Sequence, residues 1–233
     1  MDTFKYKENK LHCEDVNLSE IASSFGTPAY VYSKKALTEN ALMYVNSFTN
    51  PDNMACFSVK SLSNLSVLKL LKEVGCGFDV VSGGEMHRAL SIGADPKSII
   101  FSGVGKSSDE IKQGILNKIL SFNVESVSEL YKIEAIAKKL QMNASVSIRF
   151  NPNIDSGGHD YITTGRKGDK FGISSIEDIL NLSTYISESP NLNMVGLACH
   201  IGSQIINLES YKETAQRTFE LADQISSLGV ELE

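Results

Sequence analysis

An apolar run, Met54-Ala55-Cys56-Phe57-Ser58-Val59, leads directly into Lys60. An amine at the rim of a buried strand is costly unless it pairs or reacts, and burial lowers its pKa, which suits Schiff-base formation. The same residues also read as a strand-edge lysine whose stem carries its charge out to solvent. His200 stands in a matching place, after Met194-Val195-Gly196-Leu197-Ala198-Cys199 and before Ile201-Gly202-Ser203-Gln204. An imidazole there is able to transfer protons or stack on a planar cofactor; it reads equally as a histidine hydrogen-bonded at a strand end.

Other stretches carry weaker chemistry. Val81-Ser82-Gly83-Gly84-Glu85 forms a tight turn into a helix, where amides can hold an anion and Glu85 can instead stabilise the first turn. Phe101-Ser102-Gly103-Val104-Gly105-Lys106 resembles a phosphate loop but lacks the four-residue spacer before Gly-Lys. Gly75-Cys76-Gly77 precedes its strand and so is no dinucleotide fingerprint. Asp155, His159 and Asp169 fall at irregular spacing, and the histidines at 12, 87, 159 and 200 form no metal motif. No metal site is expected.

These groups need a scaffold, and the chain supplies a rhythm. Apolar strands are expected at Met54–Val59, Phe78–Val81, Ile99–Phe101, Leu120–Val124, Ser145–Phe150 and Met194–Ala198. Amphipathic helices fall between them at Leu65–Glu73, Glu85–Ile92, Ser108–Asn117, Ser128–Leu140 and Ile176–Ser187, with Gly75, Gly93 and Asn143 as closing residues. Each strand reads as buried on both faces, which requires a parallel sheet with right-handed crossovers. Polar residues follow all six strands: Lys60, Ser82, Ser102, Glu125, Arg149 and His200. That favours a (β/α) barrel over an open sheet, which concentrates its site at one or two switch points. Upstream, a helix is expected at Asn17–Phe25, a brief strand at Ala29–Tyr32 and a helix at Lys34–Phe48. Residues 1–53 then form a segment preceding and packing on a barrel of residues 54–233. The long connection from Asn151 to Phe171 is expected to border the pocket.

Composition excludes several classes. With 233 residues, 42 % hydrophobic and 21 % charged, the chain is neither disordered nor collagenous. The formal net charge of -6 gives no support for wrapping a nucleic acid. No apolar run approaches the roughly 20 residues of a membrane span, and Met1–Lys10 is no secretory leader, so a cytoplasmic location is expected. Cys13, Cys56, Cys76 and Cys199 are too sparse for a disulfide framework and read as reduced thiols.

Taken in order, these motifs resemble the diaminopimelate decarboxylases, pyridoxal-phosphate enzymes with an alanine-racemase-like barrel. The likeness runs through Phe57–Ser61, Phe78–Glu85, Phe101–Lys106, Phe122–Ser126, Arg149–Pro152, His159–Gly165, Lys170–Ile173 and His200–Gln204. It implies an α/β fold, a (β/α)8 TIM barrel truncated here after about six βα units, with a C-terminal β domain absent. It implies that Lys60 holds pyridoxal 5'-phosphate, that His200 stacks on its ring, and that Ser203 helps bind the phosphate. Asp79 lies in the adjoining polar network, with Glu85 and Arg149 in support. The implied reaction is decarboxylation of meso-2,6-diaminopimelate to L-lysine by a homodimer, the chain alone having little turnover. Another basic amino acid decarboxylase of the same fold, or a non-catalytic cofactor- or partner-binding remnant, are the alternatives. Two departures from the family pattern are Ser61-Leu62-Ser63 after the lysine and Ala198-Cys199 before His200.

Overall fold

The computed structural model describes residues 3–154 and 171–232. It begins with a small antiparallel sheet, β1 (Phe4–Lys7), β2 (Lys10–Cys13) and β3 (Val16–Asn17). Lys7 faces Lys10 across a two-residue loop whose Glu8 and Asn9 both have positive φ, at 50° and 60°. This is the hairpin turn whose twist matches paired strands. The sequence pattern gives no warning of it, because Phe4 and Tyr6 remain exposed and no buried face writes a period of two.

Helices α1 (Leu18–Phe25) and α2 (Lys34–Val45) follow. The strand expected at Ala29–Tyr32 does not form: the segment is irregular, belongs to neither described sheet and leaves Tyr30 89 % exposed. An extended segment becomes a strand only where an edge is available to pair. Glu14 accepts from Ser33 Oγ at 2.7 Å and from Lys35 N at 2.8 Å, tying the small sheet to the start of α2.

The main body alternates β4 (Cys56–Ser58), α3 (Leu65–Glu73), β5 (Gly77–Val80), α4 (Gly83–Ser91), β6 (Ile99–Phe101), α5 (Ser108–Asn117), β7 (Ser121–Val124), α6 (Val127–Leu140), β8 (Ala144–Arg149), α7 (Ile176–Glu188), β9 (Leu192–Ala198) and α8 (Leu208–Ser227). The six strands are parallel and lie in the order β4-β5-β6-β7-β8-β9. Each new strand lies beside its predecessor with no reversal, as in a barrel, whereas a doubly wound sheet reverses at its switch point. Helix α8 is an addition to the sequence expectation. All eight described helices start at a Ser or Asn whose side chain accepts a backbone N–H of the first turn. After α3 and α4 the left-handed residue is Gly75 or Gly93 as expected, but α6 closes at Gln141, two residues before Asn143.

Burial on both faces holds for β7 and β8, where Ser121 and Ser147 are buried, but the inner face is polar. Phe78, Val80, Ile99, Phe101, Phe122, Val124, Val146 and Ile148 form the helix-covered face and are buried with Ile111, Ile115, Leu130, Ile133, Ile179 and Ile186. The alternate positions, Ser58, Asp79, Ser121, Asn123 and Ser147, form a polar inner face, where Ser121 Oγ and Ser147 Oγ lie 2.9 Å apart. Helix α2 packs outside α3 through Ala41, Val67 and Leu71.

Helix α5 sits so close to the sheet that a Cβ on Gly114 would lie 2.5 Å from Phe122 Cζ. Gly114→Ala is therefore expected to cost about 1–3 kcal/mol, read as a lower urea midpoint. Gly84→Ala, where the nearest atom is Ser82 Oγ at 3.8 Å, is expected to gain about 0.4–1 kcal/mol. Equal responses would refute this account of the α5 contact.

Candidate active site

The carboxyl ends of the strands converge on one mouth. Lys60 lies in the single turn after β4 and is exposed, so its amine does not sit in the buried setting expected from the run before it. The chain bends at Val59, which takes the buried position, and the lysine is turned to the rim. Asp79, on β5, accepts from Ser58 Oγ at 3.2 Å and from Ser102 Oγ at 2.5 Å, and Asn123 Nδ2 donates to Ser102 Oγ at 3.0 Å. Three neighbouring strand ends thus hold one carboxylate.

His200 follows β9 and is exposed at the rim, yet enough protein surrounds it for desolvation to lead in pulling its pKa below the ordinary 6.5. The positive charges of Arg149 and Lys60 push the same way, while Asp79 and Glu125 oppose them. The leading causes, desolvation and the two positive charges, each favour the neutral ring. Those four charges come from other strand ends of the same parallel sheet, and Lys60, Asp79, Arg149 and His200 thus share one mouth. Ser203 is exposed in the loop beyond.

Arg149 is buried at the end of β8, where Nη1 donates to Glu125 Oε1 at 2.6 Å and the Phe171 ring centre lies 5.2 Å from the guanidinium carbon. Glu125 also accepts from Gly103 N at 3.0 Å and Gly172 N at 3.2 Å. Gly172 has φ 77°, and a Cβ there would lie 3.1 Å from Arg149 O, so only glycine brings this turn so close. Nearby, Lys106 spends its amine on Gly103 O at 2.7 Å, Asn123 O at 2.8 Å and Glu129 Oε1 at 2.9 Å. Burial pushes its pKa down and Glu129 pulls it back.

Glu85 is not brought toward these groups by any contact of its carboxylate. Oε2 accepts Val81 N at 2.9 Å while Ser82 Oγ accepts Glu85 N at 3.2 Å, which is the first-turn role. Sequence reasoning missed Ser58 and Asn123, and, although it marked Ser102, Glu125 and Arg149 at strand ends, it missed the bond of Ser102 to Asp79 and the partnership of Glu125 with Arg149. The one available signal was a repeated spacing: Val81-Ser82-x-x-Glu85 recurs as Glu125-Ser126-x-x-Glu129, and in the second copy Glu129 accepts Glu125 N at 2.7 Å. Asp155, His159, Asp169 and the segments His159–Gly165 and Lys170 lie outside the described residues. Among those described, no group of three His, Cys, Asp or Glu side chains is placed to hold a metal ion, and the four cysteines are free.

Two outcomes are expected. Lys106→Met strands Glu129 and two carbonyls in the interior and is expected to lower stability by about 3–5 kcal/mol in urea unfolding; a loss under about 1 kcal/mol would rule out a tightly held pair. In proton NMR of the cofactor-free protein, His200 is expected to titrate below 6.5, and Lys60→Met to move it upward. Because the unfolded chain takes this proton first, the group's contribution to stability falls as pH drops through the window between 6.5 and the lower folded value. A titration that ignores Lys60→Met would place the amine away from the ring.

Residues 34–233 match the family model for the pyridoxal-dependent decarboxylase, pyridoxal binding domain. The diaminopimelate decarboxylase of Haemophilus influenzae is 41 % identical over 232 residues, which is 100 % of this chain and 56 % of that relative. The crystal structure of the Helicobacter pylori diaminopimelate decarboxylase complexed with L-lysine aligns with TM-score 0.89 and 40 % identity, covering 93 % of this chain and 55 % of that one. The M. jannaschii enzyme in co-complex with L-lysine aligns with TM-score 0.90 and 33 % identity over 100 % of this chain and 55 % of that one. The chain spans about half the length of the relatives it matches. With its unreversed run of βα units and its mouth of lysine, aspartate, arginine and histidine, the chain belongs to the family of pyridoxal-dependent decarboxylases and carries their alanine-racemase-like pyridoxal-binding barrel fold.

Proposed function

We propose that this protein acts in the pyridoxal-phosphate-dependent decarboxylation of meso-2,6-diaminopimelate to L-lysine and carbon dioxide. The observation that carries this reading is that Lys60, Asp79, Arg149 and His200 all stand at or near the carboxyl ends of strands of one parallel sheet. The choice of substrate draws on the relatives that share 33–41 % of its residues.

The donor set suits the cofactor. An exposed amine is reachable by an aldehyde, a neutral imidazole offers a flat face with no charge to desolvate, and a hydroxyl in a Gly202-Ser203 loop offers donors to a phosphate. In this reading Lys60 holds the cofactor, His200 lies against its ring, and Ser203 meets its phosphate. Asp79 keeps its place beside them through Ser58 and Ser102. Pyridoxal phosphate, when bound, supplies the electron sink that receives the bonding pair as carbon dioxide leaves. The chain's own part is to bind, to orient and to govern charge. A neutral His200 withholds a proton from the mouth, and the buried Arg149–Glu125 pair brings a fixed dipole in place of mobile water. Glu85 serves this site by shaping the turn after β5. The same reading makes the protein a cytoplasmic homodimer with a small amino acid as its partner and neither nucleic acid nor membrane; no helix among the described residues is long and apolar enough to cross a membrane.

Carbon dioxide release by the product of the complete coding sequence tests the reading, with meso-diaminopimelate compared against L-lysine, L-ornithine and L-arginine. Turnover is expected with the first alone, and Lys60→Ala is expected to lower kcat by at least about 10²-fold. Borohydride treatment of the cofactor-loaded protein should leave a mass adduct on the peptide containing Lys60. Faster release from another amino acid, or turnover preserved in Lys60→Ala, would overturn it.

A further inference from the structure

We propose that Glu125 is a positioning residue of this site: its carboxylate, held by donors from one strand and two separate connections, fixes the Arg149 guanidinium and the Phe171–Gly172 turn against the mouth and so sets the charge that His200 meets. The inference rests on the function proposed above and adds to it a residue that acts through Arg149.

The geometry is unusually complete for a carboxylate at a strand end. Its side chain is 3 % exposed, and it collects Gly103 N from the β6 connection, Arg149 Nη1 from β8 and Gly172 N from the turn before α7. Its backbone is held as well, because Glu125 N donates to Glu129, which is gripped in turn by Lys106. Arg149 is thus contacted by Glu125 on one side and by the Phe171 ring on another.

Helix capping does not explain this carboxylate. The turn after β5 is built by the same device, a capping serine and a glutamate three residues on, and there the residue before the serine is Val81. The turn after β7 has Ser126 and Glu129 for that work, so the helix start leaves Glu125 with nothing to do. What Glu125 has and Val81 lacks is a buried guanidinium within reach. Among the described residues, Arg149 on β8, Lys60 after β4, Asp79 on β5 and Glu125 after β7 act electrostatically on His200. Arg149 and Glu125 act on the ring with opposite sign, so the field there depends on where their pair is held.

The test uses kcat and KM of the cofactor-loaded protein together with the His200 NMR titration of the cofactor-free protein. Glu125→Gln keeps length and one acceptor but removes charge. It is expected to lower the His200 titration and to cut kcat about 10- to 100-fold with far less change in KM. Glu125→Asp keeps the charge and withdraws it by one methylene, so kcat is expected to fall while the titration moves less. Glu134→Gln, which removes a charged acceptor from Tyr185 and Ser189 far along α6, is expected to leave both readouts alone. Should Glu125→Gln fail to fold, Glu125→Gln/Arg149→Gln replaces the ion pair by amides. It is expected to raise the His200 titration, Arg149 being the stronger of the two influences, and to keep kcat low. Wild-type kcat and an unmoved titration in either variant would overturn the proposal. The titration needs no substrate, so absence of turnover with meso-diaminopimelate would sink the proposed reaction and leave this test standing.

Discussion

Two ion pairs joined through one backbone amide tie together the carboxyl ends of β6, β7 and β8: Lys106 with Glu129, and Arg149 with Glu125, linked by Glu125 N donating to Glu129. Taking such charges out of water costs several kcal/mol per ion, and the cost is offset only where the remaining donors and acceptors are filled. Here they are. Lys106 places its three protons on three oxygens, and the four oxygens of the two glutamates all accept. Loosening one member leaves the others unpaired in the interior, so the loops at these three strand ends have little freedom to drift, and the mouth inherits that rigidity.

The polar mouth coexists with a stable body because the sheet divides its two faces. The helix-covered face is built from Val, Ile and Phe that are almost wholly buried, and it supplies the apolar burial that opposes chain entropy. The inner face carries Ser58, Asp79, Ser121, Asn123 and Ser147, each bonded to a neighbour on an adjacent strand or strand end. A period of two along β5, β7 and β8 separates stability from chemistry, and the register sets Ser58 beside Asp79 and Asn123 beside Ser147.

That division also decides what the sequence could disclose. Strand and helix positions were legible from Met54 to Ala198 because helix periodicity and short apolar runs are local signals, whereas α8 went unread. The three-stranded N-terminal sheet was not, since its aromatic residues stay exposed and its pattern carries no buried face. Lys60, Arg149 and His200 were marked by their places at strand ends and Asp79 by the family resemblance alone, and the order of the strands puts all four on one side of the sheet. The Arg149–Glu125 pair spans 24 residues, and nothing local in either segment names the other. Glu85 shows the opposite difficulty: the family resemblance and the capping pattern each give it a role, and its hydrogen bond to Val81 N satisfies the capping one.

Exposure separates the charged groups of the mouth into two kinds. Lys60 and His200 lie at the rim, where an incoming cofactor can meet them, whereas Arg149 and Glu125 are almost fully buried. A reactive amine has to be reached, and a group that must be reached is also wetted and screened. A group that shapes the field gains from the reverse, because a charge withdrawn from water acts over a longer distance and is weakly affected by salt. Placing the pair one layer beneath the rim gives His200 a constant electrostatic surrounding while the rim itself stays open, and the strand ends supply both layers because successive residues there alternate between the apolar face and the mouth.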